Sequence, residues 1–463
     1  MADDDTLDLS IPLRIHVVGI GGAGMSAIAT VLADMGHHVS GSDRRLSAVL
    51  AHLGARGVIT HVGHDPAHSA GADLVAVSTA VPTGNPEVVA ARAAGVEVVT
   101  RARILAAICA TRRVVAVAGT HGKTTTSAML TTILVAAGLS PSWVVGGDIA
   151  GLGGGRWDPA GEWMVAEADE SDGTFLDLPG DTGLVTSVEP DHLDFYGDEA
   201  TMTDAYETFL SGCGAARVVC ADDPGAARLG RRLASSGLAA STYGTTAGSS
   251  FTMSDVIEER TAINFELEGP DGLRGHVDLR VPGLHNARNA AGALAAAVAV
   301  GVSFDVAVAG LGRFAGVARR LERLGERHGV TYVDDYAHLP GEVATVVGTV
   351  SRAGWSRVVA VFQPHRYTRT AALHRAFADS FVGADLVVVT GIYASGEAPI
   401  SGVTGRLVAD AIAEAHPDIA LRYCEDLDDV ITLLSAVLAP GDLCLTLGAG
   451  DLTEVPARMV AGP

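Results

Sequence analysis

Eight residues, Gly119-Thr120-His121-Gly122-Lys123-Thr124-Thr125-Thr126, stand between the apolar run Arg113–Ala118 and a helical stretch that reaches about Ala137 and is closed by Gly138. Strand, glycine loop, helix is the order that a phosphate loop requires, and it commits this part of the chain to an α/β arrangement. In such a loop, backbone N–H groups and the helix N-terminus hold a triphosphate. Lys123 reaches its β and γ oxygens, and the Thr124 hydroxyl binds magnesium. The common pattern has a glycine five residues before Gly122, where this chain has Val117, so the loop is a shortened variant. A threonine-rich helix cap with no ligand is the competing reading. Composition weighs against it, because among 32 lysines and arginines Lys123 is the only lysine. A coding bias towards arginine explains the scarcity of lysine elsewhere, but not its survival here.

Two acidic stretches of the same segment follow apolar runs. Glu167-Ala-Asp-Glu170-Ser-Asp172 comes after Trp163–Ala166, and Glu189-Pro-Asp-His192-Leu-Asp after Leu184–Val188. Both place carboxylates at strand ends, where a parallel sheet builds its site. Magnesium takes oxygen ligands alongside substrate phosphates, which makes Thr124 and Glu167 candidate ligands. His192 is a candidate too, although imidazole is a less usual ligand for this metal. A solvated acidic loop is the alternative for either stretch alone. His61, His64 and His68 also have metal-like spacing, but Gly63 and Pro66 break any helix that would align them. They are expected to be structural or substrate-loop residues.

Near the start, Gly19-Ile-Gly21-Gly22-Ala-Gly24 follows the run Arg14–Val18 and precedes a helical stretch, matching G-x-G-x-x-G. Asp43 ends the next strand, where a ribose-binding acid is expected. The motif suits a pyrophosphate on a helix N-terminus and does not distinguish NAD from a UDP-sugar. A tight turn without ligand is the alternative.

With 463 residues and roughly 150 per domain, about three domains are expected. Boundaries inferred from pattern give 1–108, 109–315 and 316–463. The first reads as a parallel sheet with crossover helices, the second as a mixed α/β phosphate-loop domain, and the third as a further βα repeat. Its expected strands are Val330–Val333, Arg357–Phe362, Leu386–Thr390, Ala420–Tyr423 and Asp442–Leu447. A net charge of −22 argues against nucleic acid or an anionic membrane as partner, so anionic substrates need local cations, helix N-termini or a metal. No apolar run approaches the roughly 18 residues of a membrane span. The acidic start Met-Ala-Asp-Asp-Asp is unlike a secretory signal. The five scattered cysteines read as thiols of a reducing compartment, so a cytoplasmic location is expected.

Together these stretches resemble the Mur ligases over essentially the whole chain. The resemblance rests on GIGGAGM (Gly19–Met25), GTHGKTTT (Gly119–Thr126), EADESD (Glu167–Asp172), EPDHLD (Glu189–Asp194) and PGLHNARNA (Pro282–Ala290). It continues through GVARRLE (Gly316–Glu322), DDYAH (Asp334–His338) and QPHRYTRT (Gln363–Thr370). The last of these, with IYASGEAP from Ile392, resembles the alanine-adding branch. The resemblance implies an α/β protein of three domains, Rossmann-like at the N- and C-termini around a central P-loop ATPase-type domain. In it ATP, with magnesium (manganese as a substitute), activates the lactyl carboxylate of UDP-N-acetylmuramate as an acyl phosphate, which the amine of L-alanine attacks. It implies catalytic roles for Lys123, Glu167, His192, Arg320 and His338, and nucleotide contacts from Gly119–Thr125, Asn286, Asn289, Arg320 and Asp335. UDP-sugar contacts are implied for Gly19, Gly21, Gly22, Gly24, Asp43, Ser78 and Thr79. For the amino acid they are Tyr336, His338, His365, Arg366 and Arg369, where an arginine pair suits a carboxylate. A monomer or weak homodimer is expected. Leu339 stands where the family usually has a second histidine. Siblings that add D-glutamate or diamino acids carry a carbamylated lysine, and with Lys123 committed to ATP this chain has no other lysine to modify.

Overall fold

Strands rich in Val and Ile and buried on both faces set the architecture, because such runs are stable only with helices packed on either side. The computed structural model describes residues 7–461 except Thr79, Asp172, Pro179 and His192, with only the backbone of Leu193 and Asp194. Among these residues lie three sheets in two compact units, one formed mainly by residues up to 315 and the other mainly by 316–463.

The first unit holds two sheets. Strands β1 (Arg14–Val18), β2 (His38–Asp43), β3 (Ile59–Val62), β4 (Leu74–Val77) and β5 (Glu97–Thr100) are all parallel, in the order β3-β2-β1-β4-β5. That is half of a doubly wound sheet, and its ligand face lies at the carboxyl ends of the strands. The second sheet contains β6 (Arg113–Ala118), β7 (Ser142–Ile149), β8 (Gly153–Arg156), β9 (Trp163–Glu167) and β10 (Thr182–Val185). It is extended by β11 (Ala216–Cys220), β12 (Ser241–Gly244), β13 (Phe251–Glu258), β14 (Ile263–Glu268) and β15 (Arg274–Leu279). Its order is β15-β14-β13-β12-β11-β10-β6-β9-β7-β8, so β6 runs between β10 and β9 and parallel to both.

The glycine-rich stretch Gly146–Gly155 has a packing role. The β7–β8 hairpin rests on the helix Ala23–Asp34 of the first sheet, and a Cβ on Gly155 would run into the backbone of Ala27. Asp34 also accepts a hydrogen bond from the Trp157 N–H at 3.2 Å.

The second unit is built on β16 (Glu322–Arg327), β17 (Val330–Asp335), β18 (Arg357–Phe362), β19 (Leu386–Thr390), β20 (Ala420–Cys424) and β21 (Asp442–Leu447), in the order β16-β17-β21-β18-β19-β20. Phe362, Phe377 and Phe381 are packed in a core that also contains Ala360 and Leu445, while Val359, Val361 and Val388 belong to another. Fully burying each such side chain contributes about 1.5–3 kcal/mol.

Two local expectations change. The run Leu184–Val188 is a strand only as far as Val185, because Thr186 and Ser187 turn their polar groups to the phosphate loop. The third segment is not a pure βα repeat, since β16 pairs antiparallel with β17. Its sequence, Glu-Arg-Leu-Gly-Glu-Arg, lacks the apolar signature of the strands it joins.

Candidate functional site

The phosphate loop leaves the carboxyl end of β6, and its conformation is held by backbone and hydroxyl groups from the segment after β10. The N–H of Thr120 donates to the Ser187 carbonyl, and that of His121 to Ser187 Oγ, both at 3.0 Å. Thr186 Oγ1 donates to the His121 carbonyl at 2.5 Å. Thr120 Oγ1 accepts the Glu189 N–H at 2.9 Å, and His121 Nε2 lies 3.7 Å from Glu189 Oε2. Gly119 has φ of 131°, and a Cβ there would collide with the Thr186 hydroxyl, so both conformation and space demand glycine. Gly122, with φ of 83°, caps the helix Lys123–Ala136, whose first turn buries Thr124 and Thr125. Against Gly122 packs Asn289, from the helix Leu284–Ala299 that also buries Asn286.

Lys123 Nζ donates to the Gly119 carbonyl at 2.7 Å and to Glu170 Oε1 at 2.8 Å. Burial opposes the ammonium charge, but Glu170 and Asp169 outweigh it and raise its pKa above the ordinary lysine value. It therefore stays charged throughout the neutral range. Thr124 Oγ1 donates to Glu167 Oε1 at 2.8 Å, while Glu167 Oε2 accepts the Gly146 N–H at 2.6 Å. A hydroxyl and a carboxylate side by side at the start of a phosphate loop suit a hard divalent cation that also binds phosphate oxygens. No cluster of three or more His, Cys, Asp or Glu able to hold a metal occurs among the described residues, so phosphate oxygens and water would complete such a site. His192 lies outside the described residues, as does Asp172.

On the first sheet, Gly19 follows β1 with φ of 81°, and Gly22 caps the helix Ala23–Asp34. Asp43, at the end of β2, accepts the Gly21 N–H through Oδ2 at 3.0 Å, and Ser78 follows β4 against Gly19. Thr79 lies outside the described residues. Gly24 starts the same helix, where free N–H groups favour an anion. The spaced histidines gather around buried Glu87. Its carboxylate lies 2.8 Å from His68 Nδ1, 3.2 Å from His64 Nδ1 and 3.6 Å from His16 Nε2. It also accepts the Ser42 hydroxyl at 2.5 Å. His61 stacks on His68 at 4.1 Å. Burial alone would raise Glu87, but the bonds from His16, Ser42 and His68 hold it at about 2.

In the second unit the expected residues gather at the carboxyl ends of β17 and β18. Buried Asp335 accepts the N–H groups of Leu321 at 2.7 Å and Ala337 at 2.8 Å, and burial pushes its pKa up to about 6. The Arg320 guanidinium stands 5.3 Å from the Tyr336 ring. His338 lies 5.3 Å from Tyr336 and 5.7 Å from His365, and the N–H groups of His338 and Leu339 both donate to Glu342. Its Nδ1 is 3.0 Å from the Tyr336 carbonyl. A carbonyl only accepts, so Nδ1 carries the proton and Nε2 is left as the basic nitrogen. Arg369 Nη1 is 3.3 Å from His365 Nδ1, which fixes the opposite tautomer there. Burial lowers both imidazoles, His365 to about 4. Arg366 is exposed at the start of the helix Tyr367–Leu373, with φ of 68°.

Two residues outside the expected set join these clusters. Tyr393 stacks on His365 at 5.7 Å, and its place just after β19 was the available signal. Arg101, immediately after β5, reaches Asp169 at 2.8 Å, and its signal was a cation at the ligand end of a parallel strand.

Three family models match successive parts of the chain: the Mur ligase family catalytic domain over residues 14–113, the Mur ligase middle domain over 117–297, and the Mur ligase glutamate ligase domain over 319–450. UDP-N-acetylmuramate–L-alanine ligase of Thermobifida fusca is 42% identical over 96% of both chains. The enzyme of that name from Kineococcus radiotolerans is 45% identical over 96% of this chain and 94% of its own. The crystal structure of UDP-N-acetylmuramate–alanine ligase from Thermotoga maritima superposes with a TM-score of 0.83 at 28% identity, covering 97% of this chain and 98% of that one.

Proposed function

The chain belongs to the Mur ligase family, and from that premise we propose that it joins L-alanine to UDP-N-acetylmuramate with consumption of ATP, in peptidoglycan precursor synthesis. The observation that carries the reading is the phosphate loop itself. A charged Lys123 stands at its rim, and a Thr124–Glu167 pair stands at its base. A carboxylate becomes a usable electrophile only when one oxygen is made a leaving group. Phosphoryl transfer from ATP does this, and it asks the protein chiefly for positioning and charge neutralisation. The γ-phosphate passes to the lactyl carboxylate, the alanine amine attacks the acyl phosphate, and the tetrahedral intermediate expels phosphate.

Lys123 neutralises the transferring phosphate, while the amides of Gly119–Thr125 grip the chain of phosphates. Thr124 and Glu167, with His192, would hold magnesium, which supplies positive charge to the phosphate oxygens. Asn286 and Asn289 face the nucleotide base, and Arg320 and Asp335 complete the nucleotide contacts. Gly19, Gly21, Gly22, Gly24, Asp43, Ser78 and Thr79 take the UDP-sugar. Tyr336, His338, His365, Arg366 and Arg369 take alanine, with the neutral Nε2 of His338 available for the ammonium proton. Residues 1–108, 109–315 and 316–463 divide these tasks.

Phosphate release measured with ATP, magnesium, UDP-N-acetylmuramate and each amino acid in turn tests the reading. Release is expected with alanine, and only when all substrates are present. Carboxylate oxygen-18 in the muramate should appear in the phosphate, and unlabelled phosphate from a completed reaction rules the acyl phosphate out.

A further inference from the structure

Arg101 starts the helix Arg101–Cys109 directly after β5, at the ligand end of the first sheet. Its guanidinium faces two motifs. Nη2 bonds Asp169 Oδ2 of the Glu167–Asp172 stretch at 2.8 Å, and Nη1 lies 3.1 Å from where a Cβ of Gly24 would sit. Gly24 is in the first turn of the helix Ala23–Asp34, where N–H groups lack intrahelical partners. Asp169 in turn faces Lys123: burial would raise its pKa, but Arg101 and Lys123 hold it at about 2. Arg101 thus stands between the glycine loop and the phosphate loop. Asp169 takes one end of its planar fork. Among the described residues the buried Nε–H has no partner, an arrangement that costs free energy unless an acceptor is supplied.

We infer that Arg101 is a substrate-binding residue, which grips the pyrophosphate of the UDP-sugar on the glycine loop while its other edge anchors Asp169. The inference rests on the UDP-sugar reading above and adds a residue to it. The helix N-terminus supplies partial positive charge, and in a chain of net charge −22 a full cation at that point offsets two phosphate charges far better. The bond to Asp169 fixes the guanidinium before the substrate arrives, so little side-chain entropy is lost on binding.

The test is calorimetric titration of UDP-N-acetylmuramate, without nucleotide, into the full chain and into R101M, R101K and D169N, with a melting curve for each. The wild type should bind. R101M should bind roughly tenfold to a hundredfold more weakly through loss of charge-assisted bonds, and R101K should fall between, because a point charge replaces a fork. D169N should stay within about threefold of wild type, because Asp169 positions Arg101 but does not touch the sugar nucleotide. R101M binding with wild-type affinity overturns the inference, as does D169N matching its loss, since Arg101 would then act only through Asp169. If R101M fails to fold, R101K decides, and wild-type affinity there is equally fatal. A wild type that binds no UDP-N-acetylmuramate refutes the parent reading instead, and the inference with it.

Discussion

Lys123 Nζ lies 2.8 Å from each carboxylate oxygen of Glu170, whose side chain is only 2% exposed. A phosphate oxygen arriving at Lys123 therefore competes with a buried carboxylate for the same ammonium. Breaking such a pair from one side costs about 3–5 kcal/mol. Glu170→Gln should lower the melting temperature of the ligand-free protein, and the rise on adding ATP and magnesium should exceed that of the wild type. An equal rise in both proteins would show that Glu170 does not compete with phosphate.

Lys123→Arg should fold and yet lose activity nearly as completely as Lys123→Ala. Two carbonyls and Glu170 enclose a compact ammonium here, and a broad guanidinium would displace the phosphate or distort the loop. The expected loss is on the order of a thousandfold in turnover. Retention of more than a tenth of wild-type phosphate release, with an unchanged melting curve, contradicts the point-charge argument.

Arg369→Ala should raise the Michaelis constant for alanine and leave that for ATP within about twofold. Loss of one charge-assisted bond corresponds to roughly 1.5–3 kcal/mol. Steady-state kinetics with alanine varied at saturating ATP will read it. Wild-type dependence on alanine removes Arg369 from the pocket.

Acid should loosen the second unit through His365. Burial, then the nearby His338, Arg369 and Arg366, depress its folded-state pKa from 6.5 to about 4. Between those values the unfolded chain binds more protons than the folded one, so the contribution is whole above pH 6.5 and is lost as the pH falls towards 4. His365→Gln should flatten the dependence of melting temperature on pH across that window, and an unchanged slope would assign the acid response to other groups.

Glu87→Ala should destabilise the first sheet by about 1–3 kcal/mol, because it removes the acceptor shared by Ser42, His64 and His68 and leaves Ser42 and His64 only each other. Calorimetry should show an earlier onset of unfolding. A shift within error would mean that water replaces the carboxylate at no cost.

What was legible in the sequence was what is local. Arg113–Ala118, Gly119–Thr126 and the helix after them carry their own signals in consecutive residues, and Arg14–Val18, Arg357–Phe362, Leu386–Thr390 and Asp442–Leu447 match their expected starts and ends residue for residue. What Arg101 and Glu87 contact was not legible. Their partners lie 68 residues away in Asp169, and 45, 23 and 19 away in Ser42, His64 and His68. Only the assembled fold makes those contacts. Gly63 and Pro66 pointed to a structural or substrate-loop role for His61, His64 and His68 despite their metal-like spacing, but nothing local named the carboxylate of Glu87 that His64 and His68 meet. β16 was missed because its residues satisfy a partly exposed edge and carry no apolar signature.

The pairing of Lys123 with Glu170 also makes the phosphate loop observable without any substrate turnover. Lys123 bears the only side-chain amine in the chain, so an amine-selective acylating reagent has one side-chain target, and intact-mass counting reads the chemistry of a single nitrogen. While Glu170 holds that nitrogen protonated and only 15% of the side chain is exposed, acylation should be slow. It should accelerate in Glu170→Gln and be suppressed again by ATP. The rate at which one adduct appears would thus time the opening and filling of the loop, in a protein where no surface lysine contributes background.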